Sequence, residues 1–150
     1  MRYKEIEKNK EINAYLTKGN ANLGQLGFTD HSQAHCVQVA HQAGKILKRF
    51  GYSEHEIELA KIAGYMHDIG NAINRTHHAE YGALLANELL KDTDMSLEDR
   101  ITVVSAIGNH DESTGSPVDV ISAALIIADK TDVRRSRVRQ KERSAFDIHD

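Results

Sequence analysis

Proline is nearly absent from this chain, and that absence constrains the fold more than any other feature. The sequence has one proline in 150 residues, Pro117, so almost no helical pattern has to break at an imino acid. Apolar residues recur at intervals of three and four over long windows, and no convincing alternation of apolar and polar residues marks a strand. The pattern predicts an all-α fold, a bundle of about six helices.

The predicted helices follow from this periodicity and from local start and stop signals. They cover about 3–18, 30–50, 53–68, 77–91, 96–110 and 118 to beyond 132. Asn20 to Gly27, rich in glycine and asparagine, is predicted as a loop. Gly70 suits a left-handed position after the third helix, and Pro117 suits the start of the last one.

Length and charge set the broad class of the protein. We expect a single domain over 1–150 with its core at about 30–133. The net charge of -3 and the single cysteine do not favour nucleic acid as a partner and fit a reducing, cytoplasmic setting. No stretch approaches the roughly 18 apolar residues of a membrane span, so we expect no membrane partner.

Histidine is the one unusual component, with nine in the chain. Several histidines and aspartates lie at or beside the end of an apolar helical pattern, or on the face that it would bury. They are His35, His67, Asp68, His78, His110 and Asp129. A buried carboxylate without a cation loses its hydration at a large cost. The set therefore predicts a divalent metal site, because imidazole and carboxylate are ligands for such ions.

The order of these residues resembles a known signature. His35, then His67-Asp68, then Asp129 match the H…HD…D pattern of the HD superfamily of metal-dependent phosphohydrolases. The segments AHCVQVA, AGYMHDIG and LIIADKTD are similar to the surroundings of those positions in the family. The resemblance covers about 30–133 and implies an HD-domain helical bundle that hydrolyses a phosphate mono- or diester.

Two further segments resemble the subgroup of this family that binds two metals. His78 followed by Gly82 looks like its H-x-x-x-G element, and Asn109-His110-Asp111 looks like its His-His-Glu element. Asn109 replaces one expected ligand, and Asn71 stands where the family segment HDIGK has lysine. These departures, with the absence of a GYP-type loop, weaken a link to the cyclic-di-GMP phosphodiesterase branch.

The resemblance implies how the ligands divide between ions. His35, His67, Asp68 and Asp129 would hold a first ion, and Asp68 would bridge to a second held by His78 and His110. We expect one or two divalent ions of Mn, Fe, Ni, Co or Zn, with Mg also compatible. Hydroxide activated by the metal would attack phosphorus.

Other residues are assigned to substrate and catalysis. Asp68, Lys130 and His77 are the predicted catalytic residues. His31, Lys130 and Arg134 are predicted to contact substrate phosphate, since cationic side chains pair with phosphate oxygens. His31 equally suits an outer ligand or a surface residue at a helix start. The basic run 134–143 is also typical of a solvated helix face.

The substrate is expected to be a small phosphoester, a nucleotide first, and a homodimer is compatible with the polar first helix. Three alternatives stay open. The chain could be a non-catalytic module that uses the metal site to sense a nucleotide. It could be an interaction protein that binds an acidic partner or RNA through the basic run. It could use iron for oxygen-dependent chemistry, as a few members of the family do.

Overall fold

Helices form all the regular secondary structure in the part of the chain that the structure describes. The computed structural model describes residues 2–28, 32–111 and 113–132. They form seven α-helices and one 3₁₀ helix: α1 (Tyr3–Glu7), α2 (Lys10–Leu26), α3 (Gln33–Arg49), α4 (Glu54–Met66), the 3₁₀ helix (Ile69–Ala72), α5 (His78–Lys91), α6 (Leu97–Gly108) and α7 (Val120–Thr131). The predicted all-α class is confirmed. No helix within these ranges is long and apolar enough to span a membrane.

The N-terminal region differs from its prediction. The expected helix over 3–18 is two helices, because the side chain of Asn9 caps α2 by accepting from the backbone of Ile12. The expected loop from Asn20 to Gly27 was wrong, since α2 runs through it to Leu26 and ends at Gly27 with φ of 83°. A Cβ at Gly19 would lie 3.1 Å from the backbone nitrogen of Ala72. Close packing against the 3₁₀ helix thus outweighs the weak local helix propensity.

Gly70 has a different role from the left-handed position expected of it. Its φ lies outside the left-handed region, and it sits within the 3₁₀ helix. A Cβ there would overlap the carbonyl oxygen of His78 and would lie 2.6 Å from the backbone nitrogen of Gly82. Gly70 and Gly82 therefore let the 3₁₀ helix, just after Asp68, lie directly on α5.

The start of the last helix was also placed incorrectly. α7 begins at Val120 and not at Pro117, because the side chain of Asp119 accepts from the backbone of Ser122 and forms the N-cap. Such a cap satisfies an otherwise unpaired donor, a contribution that proline cannot make. The starts of α4 and α6 agree with prediction, since Ser53 and Ser96 both act as N-caps.

One apolar cluster lies at the centre of the bundle and includes residues from α1 to α7. α3 and α4 lie close together at Gly64, where a Cβ would lie 2.9 Å from the Cα of Ala40. Buried alanines such as Ala43, Ala60 and Ala63 line the same contact. Small residues allow backbones to come this near, and this brings the first turn of α3 beside the last turn of α4. The predicted metal ligands lie at that junction.

Candidate metal centre

The six predicted ligands come together from separate elements of the bundle. His35 lies in the first turn of α3, His67 and Asp68 directly follow α4, His78 begins α5, His110 follows α6, and Asp129 lies in the last turn of α7. All are buried except Asp129, whose side chain is 30% exposed. The centre is therefore an interior site with one side toward solvent.

Four of these side chains form what we call the carboxylate half: His35, His67, Asp68 and Asp129. His67 Nε2 lies 3.0 Å from Asp68 Oδ2 and 3.3 Å from Asp129 Oδ1. His35 Nε2 lies 3.3 Å and 3.5 Å from the same two oxygens. Ligand atoms about 2.1 Å from a shared ion lie about 3.0–3.4 Å apart at octahedral or tetrahedral angles. The spacing of this half therefore fits an ion.

The remaining two ligands, His78 and His110, form the imidazole half. Their Nε2 atoms lie 3.2 Å apart. They are 3.8 Å and 3.9 Å, respectively, from Asp68 Oδ1. Asp68 thus directs one oxygen to each half, as a bridging carboxylate must. His67 also links the halves, because it lies within 4.8 Å of ligand atoms of both Asp68 and His110.

Backbone carbonyls orient three of the four imidazole rings. The Nδ1 atoms of His67, His78 and His110 lie 2.7, 3.1 and 2.6 Å from the carbonyl oxygens of the residues three positions earlier. A carbonyl only accepts, so each Nδ1 carries the hydrogen. In the neutral ring the lone pair is then on Nε2, the atom that faces the centre.

The fourth ring, His35, is oriented by a side chain that sequence reasoning gave no role. Its Nδ1 lies 2.6 Å from Oδ2 of Asp132, a buried residue 97 positions away in the sequence. Asp132 is one turn after Asp129, and this spacing on a buried stripe of α7 was the available signal.

Charge separates the two halves. Burial alone would lower the pKa of His35, but hydrogen bonds with Asp129, Asp132 and Asp68 raise this pKa to about 9. Burial acts in the same direction at His67, where the nearby charges of Asp68 and Asp129 raise the pKa well above its usual value. Burial would raise the pKa of Asp129, yet the charge of His67 and the close contacts of the His35 and His67 rings bring it well below the usual range.

In the imidazole half burial prevails. It lowers the pKa of His110 to about 4, with a further contribution from the charge of His67. It also lowers the pKa of His78, helped by the charge of Arg75 and opposed by that of Asp68. These two rings are therefore neutral at neutral pH, the state in which imidazole binds a metal.

The donor set fits a divalent transition ion. His67 Nε2 is buried and makes no hydrogen bond within the described part of the chain, an arrangement that is costly unless another partner is bound. Imidazole nitrogen combined with carboxylate oxygen suits Mn, Fe, Co, Ni or Zn. The six ligand assignments stay predictions, and the geometry is compatible with all of them.

Of the predicted catalytic residues, Asp68 lies within the centre, whereas His77 and Lys130 are exposed. His77 is the exposed N-cap of α5, with φ of 62°, and its ring lies edge-on to Tyr81. Lys130 is exposed and directly follows Asp129. His31 and Arg134 lie outside the described residues, as does the basic run 134–143. Their roles stay predictions.

The two asparagines that depart from the subgroup pattern both make hydrogen bonds to nearby groups. Asn109 donates from its side chain to the carbonyl of Ser105 at the end of α6. Asn71 is buried in the 3₁₀ helix, and its Oδ1 accepts from Arg75 Nη1 at 3.2 Å. Arg75 thereby brings a positive charge beside the imidazole half.

Comparison with known proteins decides the family. The HD domain matches residues 33–137, more than half of the chain. This chain belongs to the HD domain family. The match spans α3 to α7, the elements that supply every predicted ligand, and it confirms the resemblance to the metal-dependent phosphohydrolases.

Individual curated proteins are similar to this chain at 28–33% identity. The uncharacterized protein MJ1020 of Methanocaldococcus jannaschii is 28% identical over 172 residues, which cover 99% of this chain and 66% of that protein. Ribonuclease Y of Aster yellows witches'-broom phytoplasma is 33% identical, and that of Bacillus pumilus is 30% identical, each over 126 residues. The aligned part covers 79% of this chain and 22% of either ribonuclease. No solved structure gives a significant match.

Proposed function

We propose that this HD domain is a metal-dependent phosphohydrolase that cleaves a phosphate mono- or diester of a nucleotide. The position of Asp68 carries the proposal. One of its oxygens faces His35 and His67, and the other faces the imidazole half. A carboxylate shared in this way is the arrangement needed to hold two ions side by side.

The chain's own residues have distinct tasks in this proposal. Divalent ions in the centre supply an activated nucleophile and positive charge against the phosphoryl oxygens. The six ligands fix their position, and the carbonyls behind the rings keep each Nε2 directed inward. Burial of the centre limits the access of bulk water, which would compete with the six side chains for the ions. Asp129 borders solvent, so the substrate would approach from its side of the site.

The leaving group needs a proton donor, and two exposed residues are candidates. Lys130 follows the ligand Asp129, and His77 precedes the ligand His78. Each is exposed and adjacent in the sequence to a predicted ligand. His31 and Arg134 remain candidates for contacts with substrate phosphate.

The expected substrate is a nucleotide. Relatives named ribonuclease Y act, by that name, on RNA, which favours a phosphodiester between nucleosides. They share only 22% of their length with this chain, and the net charge of -3 gives no general attraction to a long polyanion. Small nucleotides are therefore preferred over long RNA.

The test is hydrolysis of a phosphoester panel by the full chain. The panel holds a generic phosphodiester, nucleoside mono- and triphosphates and cyclic nucleotides, each with Mn²⁺, Ni²⁺ or Fe²⁺. Asp68→Asn is the site variant. Asp99→Asn is its matched control, because Asp99 pairs with His55 on the surface. Circular dichroism shows whether both variants fold.

We expect turnover that depends on the ion, is lost in Asp68→Asn and is retained in Asp99→Asn. Equal turnover in both variants would contradict the proposal. Ion binding by the unmodified chain without turnover of any panel member would also count against it and would favour a nucleotide-sensing module.

A further inference from the structure

We propose that Asp132 is a positioning residue of the metal centre, which sets the orientation and strengthens the ligand character of His35. Nothing in the family match or in the predicted ligand set assigns it a role. The proposal rests on ion binding at the centre of the proposed function, but not on any substrate or turnover.

Direct geometry supports the pairing. Asp132 Oδ2 and His35 Nδ1 are 2.6 Å apart, and both residues are buried. Nδ1 and Nε2 lie on opposite edges of the ring, and it is Nε2 that faces Asp68 and Asp129. Asp132 therefore contacts the ring from the side away from the ligand cluster. This placement fits a residue that acts through His35 and not a seventh ligand.

The partner of His35 differs in kind from those of the other rings. His67 and His110 come after the ends of α4 and α6, and their rings reach backbone carbonyls three positions earlier. His35 lies instead in the first turn of α3, where the carbonyl three positions earlier belongs to Ser32 and accepts the backbone N–H of Cys36. The acceptor for Nδ1 of His35 comes from another element, α7.

A carboxylate is a stronger acceptor than a carbonyl. Hydrogen bonds to an ionised acceptor are roughly twice as strong as those between neutral groups. An anionic acceptor on one ring nitrogen raises the basicity of the other nitrogen, which then binds a metal more strongly. Of the four rings, His35 alone has this arrangement among the described residues, so we expect it to be the strongest imidazole ligand.

The position of Asp132 also couples two ligands. It is the C-cap of α7 and follows Asp129 by one turn. α7 therefore carries one carboxylate ligand and the group that orients a ring on α3. A shift of α7 would move Asp129 and turn His35 together, so the carboxylate half is held as one unit.

The experiment measures ion affinity without substrate. Mn²⁺ is titrated calorimetrically into the ion-free full chain, into Asp132→Asn and Asp132→Ala, and into Asp99→Asn as the matched surface control. Asn keeps the shape and an acceptor oxygen but removes the charge, whereas Ala removes both. Thermal melting of the ion-free variants reports on folding.

We expect Asp132→Asn to weaken Mn²⁺ binding by roughly 10-fold and Asp132→Ala by up to roughly 100-fold, with unchanged stoichiometry. Asp99→Asn should bind as the unmodified chain does. Variants that melt at lower temperature yet bind with unchanged affinity would overturn the proposal, because Asp132 would then be only structural. A stoichiometry reduced in Asp132→Asn would also overturn it, because Asp132 would be a ligand.

Failure of this proposal and failure of the proposed function are distinguishable. An unmodified chain that binds Mn²⁺ but hydrolyses no phosphoester would remove the function and leave the Asp132 test intact. An unmodified chain that binds no ion would overturn both.

Discussion

Each half of the centre contains two imidazole rings, yet the two pairs differ in protonation when no ion is bound. In the carboxylate half, anions outweigh burial, so His35 and His67 carry protons at neutral pH. In the imidazole half, burial outweighs the more distant Asp68 charge, so His78 and His110 are neutral. An ion must displace protons from the first half and finds the second already deprotonated.

The comparison teaches that one type of side chain acquires opposite properties within a few ångströms. The cause is distance to carboxylate oxygen. In the carboxylate half, the Nε2 atoms lie 3.0–3.5 Å from carboxylate oxygens of Asp68 and Asp129. In the imidazole half, the Nε2 atoms lie 3.8 Å and 3.9 Å from an oxygen of Asp68. The carboxylate half also offers more negative charge to balance a cation, so we expect it to bind its ion more tightly.

The largest effect is expected from His67→Gln, because His67 contacts both carboxylates and lies beside His110. Loss of the ion from the carboxylate half should reduce hydrolysis by roughly 1,000-fold, since metal activation contributes several kcal/mol. Steady-state kinetics on the best panel substrate measures this. His55→Gln, at an exposed surface pair, should retain activity. A His67→Gln variant with near-normal turnover would contradict the ligand assignment.

Removing the imidazole half should have a smaller effect on binding and would separate the halves. In the double variant His78→Gln and His110→Gln, bound ion should fall from two per chain to one, while the tighter site persists. Elemental analysis after dialysis against Mn²⁺ gives the stoichiometry. Unchanged stoichiometry would remove the second site. Loss of all ion would show that the halves do not bind independently.

One histidine from each half should limit the stability of the ion-free fold, at opposite ends of the pH range. His35 has a pKa raised to about 9, so its stabilising contribution is complete below pH 6.5 and fades as pH rises through about 9. His110 has a pKa lowered to about 4. The unfolded chain therefore takes up its proton first, and stability falls as pH drops from 6.5 toward 4.

Urea unfolding of the chelator-treated chain between pH 4 and pH 9.5 checks both slopes. His110→Gln should flatten the acidic slope and leave the alkaline slope, whereas His35→Gln should flatten mainly the alkaline slope. If either variant changed both slopes equally, the division of the centre into two halves would be wrong.

The smallest effect is expected at Asp111, whose Oδ2 lies 3.9 Å from His78 Nδ1. Its charge opposes the lowered pKa of His78. Asp111→Asn should therefore lower that pKa slightly further, and the effect is small because the carboxylate is partly exposed and screened. Histidine resonances followed by NMR during a pH titration measure the shift. A rise in the pKa of His78 would contradict this assignment.

The sequence predicted that these six side chains would lie close together, because their positions follow from local rules. His67 and Asp68 come directly after a capped helix, and Asp129 lies beside the apolar stripe of another. Helical periodicity brings such positions to the interior, and their order along the chain matched the family signature. The class of the fold was predictable for the same reason.

What sequence reasoning missed depends on contacts between distant segments. The pairing of Asp132 with His35 requires the crossing of α3 and α7, and no local pattern encodes a contact over 97 positions. α2 extends through asparagine and glycine residues because it packs on the 3₁₀ helix. A glycine needed for close approach looks the same in a sequence as one needed for a left-handed turn, which is why Gly70 was misassigned.

The contact between Gly70 and Gly82 has a consequence for engineering. Neither residue is a predicted ligand, yet their missing side chains set the separation between the segment that carries Asp68 and the helix that carries His78. A single methyl group at position 70 would increase the distance between the two halves of the centre. In a library that varies every position, Gly70 should therefore tolerate as little change as the ligands, and redesign of ion spacing should begin at this pair of glycines.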